Sequence, residues 1–283
     1  MDIGIIGAGK VGCSIGKYLK EQGCPVAGYV SKTGESVDSA ATFTGTKAFG
    51  SLEELAAASE VLLITTPDDI IPSVWNCLAK QSIQGKIICH FSGSLSSVVF
   101  SDMDKTGASG CSIHPMYAFS NKFTSYEKLN QVFFTMEGDE KAIAVMKPLL
   151  ESLGNPVCVI APENKVRYHA AAAMVSNMVT GLYQMGLDML VDCGFETEQA
   201  RALVEPLVRG NIEAVLSSSS EQALTGPIER NDVETIRKHL QVLKSGEKQV
   251  YINLGQRLVE LAGRKNPDRD YAAILKCFQE VSQ

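Results

Sequence analysis

The pattern of apolar and polar positions divides the chain into two parts. Up to about residue 160, short apolar segments alternate with amphipathic or turn-rich segments. The apolar segments predict strands at Ile3–Ile6, Val26–Val30, Val61–Thr65, Lys86–Cys89, Cys111–Ile113, Val132–Met136 and Val157–Ile160. The segments between them predict helices, among them Val11–Gln22, Leu52–Ala58, Ile70–Ala79 and Glu140–Leu153. This alternation is typical of an α/β fold with a doubly wound, mainly parallel sheet and helices on both faces.

From Pro162 onward the strand pattern stops. Glu163–Cys193 carries apolar residues at helical spacing without a proline, which predicts one long connecting helix, apolar on most sides and therefore buried. Further helices are predicted at Thr197–Leu216, Val233–Leu243, Gly246–Gly263 and Tyr271–Val281. We therefore expect two domains, an α/β domain over residues 1–161 and an all-α domain over residues 162–283.

Composition narrows the possible functions. The net charge of −6 and the pI near 5.4 leave no basic surplus for a nucleic acid. No apolar run reaches the roughly 18 residues that a membrane span requires. The eight cysteines form no C-x-x-C pair, so we expect free thiols and no metal site. Because the first predicted strand begins at once, no leader peptide is expected, and these features together indicate a soluble cytoplasmic protein.

A glycine-rich turn follows the first strand and has the spacing G-x-G-x-x-G, at Gly7, Gly9 and Gly12. The first glycine permits a tight turn, the second lets the backbone approach a pyrophosphate, and the third lets the helix pack against the strand. The backbone N–H groups at Lys10 and Val11 would then face the anion. The preceding strand, the following helix and the second strand supply the context that a dinucleotide site requires. The alternative is an α/β domain that binds no nucleotide.

The end of the second strand bears on the type of cofactor. NAD enzymes commonly place Asp or Glu there to accept a hydrogen bond from the ribose 2′-hydroxyl. Here the strand ends in Ser31, Lys32 and Thr33, and the first acid is Glu35. Two hydroxyls and a cation suit a 2′-phosphate, which favours NADP over NAD. The alternative is that Lys32 is simply solvated and the specificity is loose.

Two further strand ends are expected beside the cofactor, because ligands of doubly wound sheets bind at the carboxyl ends of the strands. The backbone of Thr65, Thr66 and Pro67 is expected to line the dinucleotide. Asp68 or Asp69 would cap the helix that follows. The next end reads His90-Phe91-Ser92-Gly93-Ser94, in which Ser92 would face the cofactor and the small residues would admit a ring.

His114 is the strongest acid–base candidate in the sequence. It stands at a predicted strand end and is followed by Pro115, so a stiff turn fixes its position. An imidazole there could exchange a proton with a carbonyl or hydroxyl oxygen while a hydride moves to or from nicotinamide. The alternative is a structural histidine hydrogen-bonded to the backbone.

The start of the predicted connecting helix carries a second group of candidates. Lys165 and His169 are four residues apart and share a helix face, and Asn177 lies beside that face. Lys165 and His169 are candidate catalytic residues, and Asn177 is a candidate substrate ligand. A lysine that reaches solvent is an equal alternative for Lys165.

Over nearly its full length, the chain resembles the Rossmann-like oxidoreductases that carry a C-terminal helical domain of unknown function. The resemblance rests on G-A-G-x-V-G at residues 7–12, H-F-S-G-S at 90–94, H-P-M at 114–116, Y-H-A-A-A at 168–172 and L-T-G-P-I-E-R-N-D at 224–232. These proteins are relatives of 6-phosphogluconate dehydrogenase, ketopantoate reductase, pyrroline-5-carboxylate reductase and prephenate dehydrogenase. The resemblance implies a two-domain fold, a nicotinamide cofactor and a homodimer formed through the helical part.

Two of these relatives suggest roles for individual residues. Gly93-Ser94 and His114-Pro115 are similar to a prephenate dehydrogenase pattern, which would make His114 the proton donor or acceptor and Ser94 its helper. β-Hydroxyacid dehydrogenases pair a catalytic lysine with an asparagine four residues later. Here His169 stands in place of that asparagine, and Ala161 replaces the usual glycine before the lysine, so the chain departs from the lysine mechanism.

The sequence thus predicts an NADP-dependent oxidoreductase that acts on a carbonyl or hydroxyl carbon of a small keto or hydroxy acid. Arg230 would hold the substrate carboxylate, with a surface salt bridge to Glu229 or Asp232 as its alternative. Two other functions remain open, an imine reductase resembling pyrroline-5-carboxylate reductase and a non-catalytic NADP-binding sensor or scaffold.

Overall fold

The computed structural model describes residues 1–281, which divide into two compact units. The first comprises Met1–Ser176, and the second begins at Asn177. Within the described residues, no helix is both long and apolar enough to cross a membrane.

The first unit is built on an eight-stranded sheet of order β3-β2-β1-β4-β5-β6-β7-β8. Its strands are β1 (Ile3–Ile6), β2 (Val26–Val30), β3 (Lys47–Ala48), β4 (Val61–Ile64), β5 (Ile87–His90), β6 (Ser109–Pro115), β7 (Phe134–Gly138) and β8 (Val157–Val159). All neighbours are parallel except β6 and β7. The predicted α/β fold with a mainly parallel, doubly wound sheet is confirmed.

Helices pack on both faces of this sheet because the strand residues alternate between two cores. In β4, Val61 and Leu63 belong to one buried cluster, whereas Leu62 and Ile64 belong to the other. The helices of this unit are α1 (Lys10–Glu21), α2 (Gly34–Thr44), α3 (Leu52–Ala57), α4 (Ile71–Leu78), α5 (Met103–Thr106), α6 (Glu140–Ser152) and α7 (Lys165–Val175).

The second unit is all-helical, as expected. It contains α8 (Asn177–Asp192), α9 (Thr197–Ser217), α10 (Ser220–Ala223), α11 (Val233–Val242), α12 (Ser245–Lys265) and α13 (Ala272–Val281). Its core is a cluster of apolar side chains from α11, α12 and α13 and from the segment before α11, centred on the fully buried Ile236, Ile274 and Phe278.

The prediction of a single connecting helix over Glu163–Cys193 is wrong. The helix is interrupted at Ser176, whose backbone (φ −121°, ψ −80°) is not helical. The Ser176 hydroxyl donates to the carbonyl of Ala172, a local hydrogen bond of the kind that bends or ends helices. The expected burial is also wrong for the single chain, because Val166, Met174, Val175 and Met178 are exposed.

Candidate functional site

A groove lies at the carboxyl ends of β1, β4 and β5, where ligands of doubly wound sheets bind. It is lined by Gly9, Lys10, Val11, Thr65, Thr66, Pro67, Asp68, Phe91 and Ser92. Seven of these were expected at the cofactor from the sequence, and the structure brings them together. Asp68 and Phe91 were not expected in the lining.

The three glycines of the first turn occupy different local environments. Gly7 has a φ of +110°, which side-chain-bearing residues rarely adopt. A Cβ on Gly12 would collide with the carbonyl oxygen of Gly7. A Cβ on Gly9, in contrast, would meet no described atom within 4 Å, so the space in front of Gly9 is open. The turn is therefore closed on the protein side and open on the groove side.

Polar groups around this open space suit an anion with hydrogen-bonding capacity. Helix α1 begins at Lys10 without an acidic residue in its first turn, so its N–H groups are available. Thr65 fixes the turn by donating its hydroxyl to the Gly7 carbonyl (2.9 Å). The buried hydroxyl of Thr66 has no hydrogen-bond partner among the described residues. These residues fit a dinucleotide pyrophosphate.

Ser31, Lys32 and Thr33 follow β2, the strand next to β1 on the side away from β4. Lys32 is exposed, and the Thr33 hydroxyl donates to Ser36 Oγ (2.9 Å). Thr33 directly precedes α2 and does not use its side chain as a cap. A cation, hydroxyls and a helix N-terminus therefore lie at one place on the β2 side of the groove.

Asp68 connects the β4 end to the β5 end. Its Oδ2 accepts hydrogen bonds from the hydroxyls of Ser92 (2.7 Å) and Ser94 (2.8 Å). The expectation that Asp68 or Asp69 caps the next helix is therefore wrong, because in the described chain no side chain caps α4. Asp68 binds the serines and not the N-terminus of α4. Ser92 is fixed beside Asp68 because its hydroxyl oxygen also accepts the backbone N–H groups of Ser94 and Leu95.

His114 lies near the end of β6 and is held by a side chain of α7. Its Nδ1 lies 2.8 Å from the phenol oxygen of Tyr168. Thr135 on β7 donates its hydroxyl to that same oxygen (2.9 Å). The Tyr168 proton therefore goes to the better remaining acceptor, Nδ1 of His114, rather than to the Met116 sulfur at 3.9 Å. This assigns to His114 the tautomer that carries its proton on Nε2.

The Nε2 atom of His114 faces the loop after β5. A Cβ on Gly93 would lie 2.8 Å from this atom and 3.0 Å from Nε2 of His169. Only glycine leaves room there for both imidazoles. The predicted candidates His114, His169 and Ser94 thus lie around one short loop, which Ser92 and Asp68 join to the groove.

Lys165 occupies a different environment from the one expected. It is fully buried, and its Nζ donates to Ser112 Oγ (2.6 Å) on β6. Burial lowers the pKa of Lys165 to about 8, although the carboxylate of Glu137 raises it. The lysine thus has no exposed surface, and in this conformation it acts on the site through its charge.

That charge contributes to the state of His114. Burial, the positive charge of Lys165 and the neighbouring His169 together lower the pKa of His114 to about 4, with burial the largest cause. The charge of Asp68 opposes these effects. His114 is therefore neutral near pH 7 and presents an Nε2–H donor.

The two predicted substrate ligands belong to the helical unit. Asn177 is the first residue of α8, and Arg230 is exposed. Glu229 pairs with Arg269 (3.7 Å), and Asp232 accepts the Thr235 N–H and hydroxyl. The roles of Asn177 and Arg230 at the substrate stay predictions.

Four residues that complete the site were not singled out as site residues from the sequence: Asp68, Ser112, Thr135 and Tyr168. Tyr168 directly precedes His169 in one of the motifs quoted above, and Asp68 follows a strand end. Nothing in the local pattern marks Thr135 or Ser112, because both are strand residues that meet α7 only in the fold.

The sequence matches the model of a Rossmann-like domain over residues 1–115 and that of a domain of unknown function, DUF2520, over residues 132–258. The chain is a Rossmann-like protein with a DUF2520 domain. The DUF2520 match includes β7, β8 and α7, so it contains Thr135, Lys165, Tyr168 and His169 of the site. Its C-terminal helical part fits the 6-phosphogluconate dehydrogenase-like superfamily, as the sequence suggested.

Solved structures share this architecture. The Rossmann-like/DUF2520 chain is similar to protein TM1727 from Thermotoga maritima, with 26% identity, a TM-score of 0.75 and coverage of 93% of this chain and 99% of that one. A proposed NADP oxidoreductase from Bacteroides fragilis has 21% identity and a TM-score of 0.71, covering 92% and 98%. Pyrroline carboxylate reductase from Plasmodium falciparum, solved with NADP bound, has 16% identity and a TM-score of 0.58, covering 96% and 98%. No curated protein matches the sequence.

Proposed function

We propose that the protein is an NADP-dependent oxidoreductase that transfers a hydride between nicotinamide and a carbonyl or hydroxyl carbon of a small carboxylate-bearing metabolite. One observation carries the proposal. A neutral histidine, His114, directs Nε2 to the loop after β5, beside a groove that fits a dinucleotide. The family resemblance and the similarity to proteins named as oxidoreductases support it.

The bound cofactor would supply or accept the hydride, and this chain supplies the groups that handle the oxygen. In the direction of reduction, the Nε2–H of His114 donates to the carbonyl oxygen and polarises it, and the alkoxide, the stronger base, takes this proton while solvent returns one to Nε2. A neutral imidazole whose other nitrogen is already hydrogen-bonded is suited to this electrophilic role. In the reverse direction, Nε2 would accept the proton of the hydroxyl group in the other tautomer, which carries its proton on Nδ1 and donates it to the Tyr168 oxygen.

The remaining candidates have supporting roles in this proposal. Ser94 donates its proton to Asp68, so its oxygen is an acceptor for a substrate hydroxyl. The His169 ring, whose centroid lies 6.1 Å from that of His114, would confine the substrate beside His114. Together with burial, the charge of Lys165 keeps His114 neutral. Asn177 and Arg230 stay the predicted ligands of a substrate carboxylate, for which a guanidinium offers two parallel donors.

We also propose a homodimer formed through the helical unit. Helix α9 has 21 residues, and within residues 1–281 it buries only Ala200. Large apolar side chains are exposed along it, including Leu203, Leu207, Ile212 and Leu216. Exposed apolar area of this extent is typical of an interface. Light scattering coupled to size exclusion should give twice the mass of the chain, and a monomer at micromolar concentration would contradict the proposal.

Measuring NADPH oxidation against a panel of small substrates tests the function. The panel would contain α-keto acids, ketopantoate among them, and cyclic imines such as 1-pyrroline-5-carboxylate. We expect turnover with a keto acid and preference for NADPH over NADH. Turnover restricted to imines would favour the imine reductase alternative, which the similarity to pyrroline carboxylate reductase supports. Tight NADPH binding without any turnover would favour a sensor.

A further inference from the structure

Asp68 lies at a defined place along the groove. It follows β4, which lies beside β1 on the side away from β2, and its serine partners follow β5, one strand further. The glycine turn at β1 fits the pyrophosphate, and the β2 end carries the groups suited to a 2′-phosphate. The β4 and β5 ends therefore belong to the other half of the dinucleotide, the half that carries nicotinamide.

Hydrogen bonds hold one oxygen of the Asp68 carboxylate and leave the other available to a ligand. Both serine hydroxyls donate to Oδ2, whereas Oδ1 accepts no hydrogen bond from the described residues. The side chain is exposed and lines the groove. Because two hydroxyls fix Oδ2, the orientation of Oδ1 is set before any ligand arrives.

The charge and the acceptor character of a carboxylate oxygen determine which groups it can bind. An ionised carboxylate only accepts hydrogen bonds, and it repels a phosphate. On the nicotinamide half of the cofactor, the available donors are the two ribose hydroxyls and the amide N–H₂ of the carboxamide. Either type of donor would form a charge-assisted hydrogen bond with Oδ1.

We propose that Asp68, fixed by Ser92 and Ser94, is the residue that binds the nicotinamide-riboside half of the cofactor through its O–H or N–H donors. This rests on the proposed function, since it requires that the groove holds NADP. It assigns to the Thr66-Pro67-Asp68 turn a binding role through a side chain, in addition to the role of its backbone.

The substitution Asp68→Asn tests this proposal. The amide keeps the size of the side chain but has only one acceptor oxygen, so it cannot serve both the serines and the ligand. The matched control is Asp69→Asn, which makes the same change in charge at the adjacent exposed position outside the groove lining. Dissociation constants would be measured by calorimetry for NADPH and for 2′,5′-ADP, which lacks the nicotinamide-riboside half.

We expect D68N to weaken NADPH binding roughly tenfold or more, the range of a hydrogen bond to a charged group. Binding of 2′,5′-ADP should stay within about twofold of wild type, and D69N should leave both ligands unaffected. Unchanged NADPH affinity in D68N, or an equal loss for 2′,5′-ADP, would overturn the assignment. Failure of the wild-type protein to bind NADPH would instead overturn the proposed function.

Nicotinic acid adenine dinucleotide phosphate, in which a carboxylate replaces the carboxamide, identifies the donor. If Asp68 binds the amide N–H₂, wild type should bind this analogue at least tenfold more weakly than NADP⁺, and D68N should remove that difference. If Asp68 binds the ribose hydroxyls, D68N should weaken both dinucleotides by the same factor.

Discussion

The phenol oxygen of Tyr168 lies 2.8 Å from Nδ1 of His114 and accepts the Thr135 hydroxyl at 2.9 Å. This arrangement orders the protons of three side chains, because a phenol that already accepts a hydrogen bond directs its single proton to the imidazole. The consequence is a histidine whose Nε2–H faces the loop after β5. Tyr168 is therefore a positioning residue that acts through His114.

The substitution Tyr168→Phe should change the tautomer of His114 while the aromatic ring still fills the same space. We expect kcat to fall by roughly three- to tenfold, since one hydrogen bond of about 1 kcal/mol is lost, while the KM for NADPH is unchanged. Nitrogen NMR of labelled histidine should show a larger Nδ1–H fraction than in wild type. An unaltered Nε2–H tautomer in Y168F would contradict the positioning role.

The substitution Lys165→Met should raise the pKa of His114. The groups whose charges act on this histidine are Lys165, His169 and Asp68, and removal of Lys165 leaves Asp68 to favour the protonated form. Because burial remains, the pKa should move up from about 4 but stay below the ordinary value of 6.5. Proton NMR titration of His114 measures the shift. Identical titration curves for wild type and K165M would show that the lysine charge does not reach His114.

The lowered pKa of His114 also determines the direction in which the stability of the fold changes with pH. The pKa of His114 in the fold is depressed, so the unfolded chain binds more protons between about pH 6.5 and pH 4. The free energy of unfolding that this residue contributes is therefore present above pH 6.5 and is lost as the pH falls through about 4. Substitution by Gln should make the loss of stability with falling pH less steep. Urea unfolding at several pH values measures the slope, and equal slopes would contradict the assigned pKa.

The fold and the glycine turn were predictable because their signals are local. A strand, three glycines at fixed spacing and a helix lie within the first 21 residues, and the backbone of Gly7 and the contacts of Gly12 require glycine there. The pairing of Asp68 with Ser92 and of His114 with Tyr168 was not predictable in the same way. These partners are 24 and 54 residues apart, and they meet only through strand order and the packing of α7.

The burial of Lys165 could not be predicted from local signals either. Helical spacing correctly put Lys165 and His169 on one α7 face, but it could not tell that one side chain would be enclosed and the other half-buried. The break at Ser176 was missed because serine is compatible with a helix and its hydrogen bond to Ala172 is a feature of the fold.

Gly9 and Gly12 should respond in opposite ways to alanine. In G9A the Cβ occupies the open groove, so the melting temperature should stay near wild type while NADPH affinity falls roughly tenfold or more. In G12A the Cβ collides with the Gly7 carbonyl, so stability should fall by about 1–3 kcal/mol, the range for overpacking. Thermal unfolding and calorimetry distinguish the two. A stable G9A variant with wild-type affinity would argue against a ligand at this turn.

Lys32 should contribute to the choice between NADPH and NADH. Since the side chain is exposed, its interaction with a 2′-phosphate is screened, and K32A should weaken NADPH binding by about fivefold. NADH affinity should be unchanged, and the difference should shrink with added salt. Equal effects on the two cofactors would place the 2′-phosphate elsewhere.

The central claim is that His114 handles the proton at the substrate oxygen while the groove binds the cofactor independently of it. The most direct measurement compares H114A with wild type in both NADPH turnover, using the best substrate of the panel, and NADPH dissociation constant. We expect turnover to fall by about 10²- to 10⁴-fold, the usual contribution of general acid–base catalysis, with the dissociation constant within about twofold. Turnover near the wild-type rate in H114A would contradict the account.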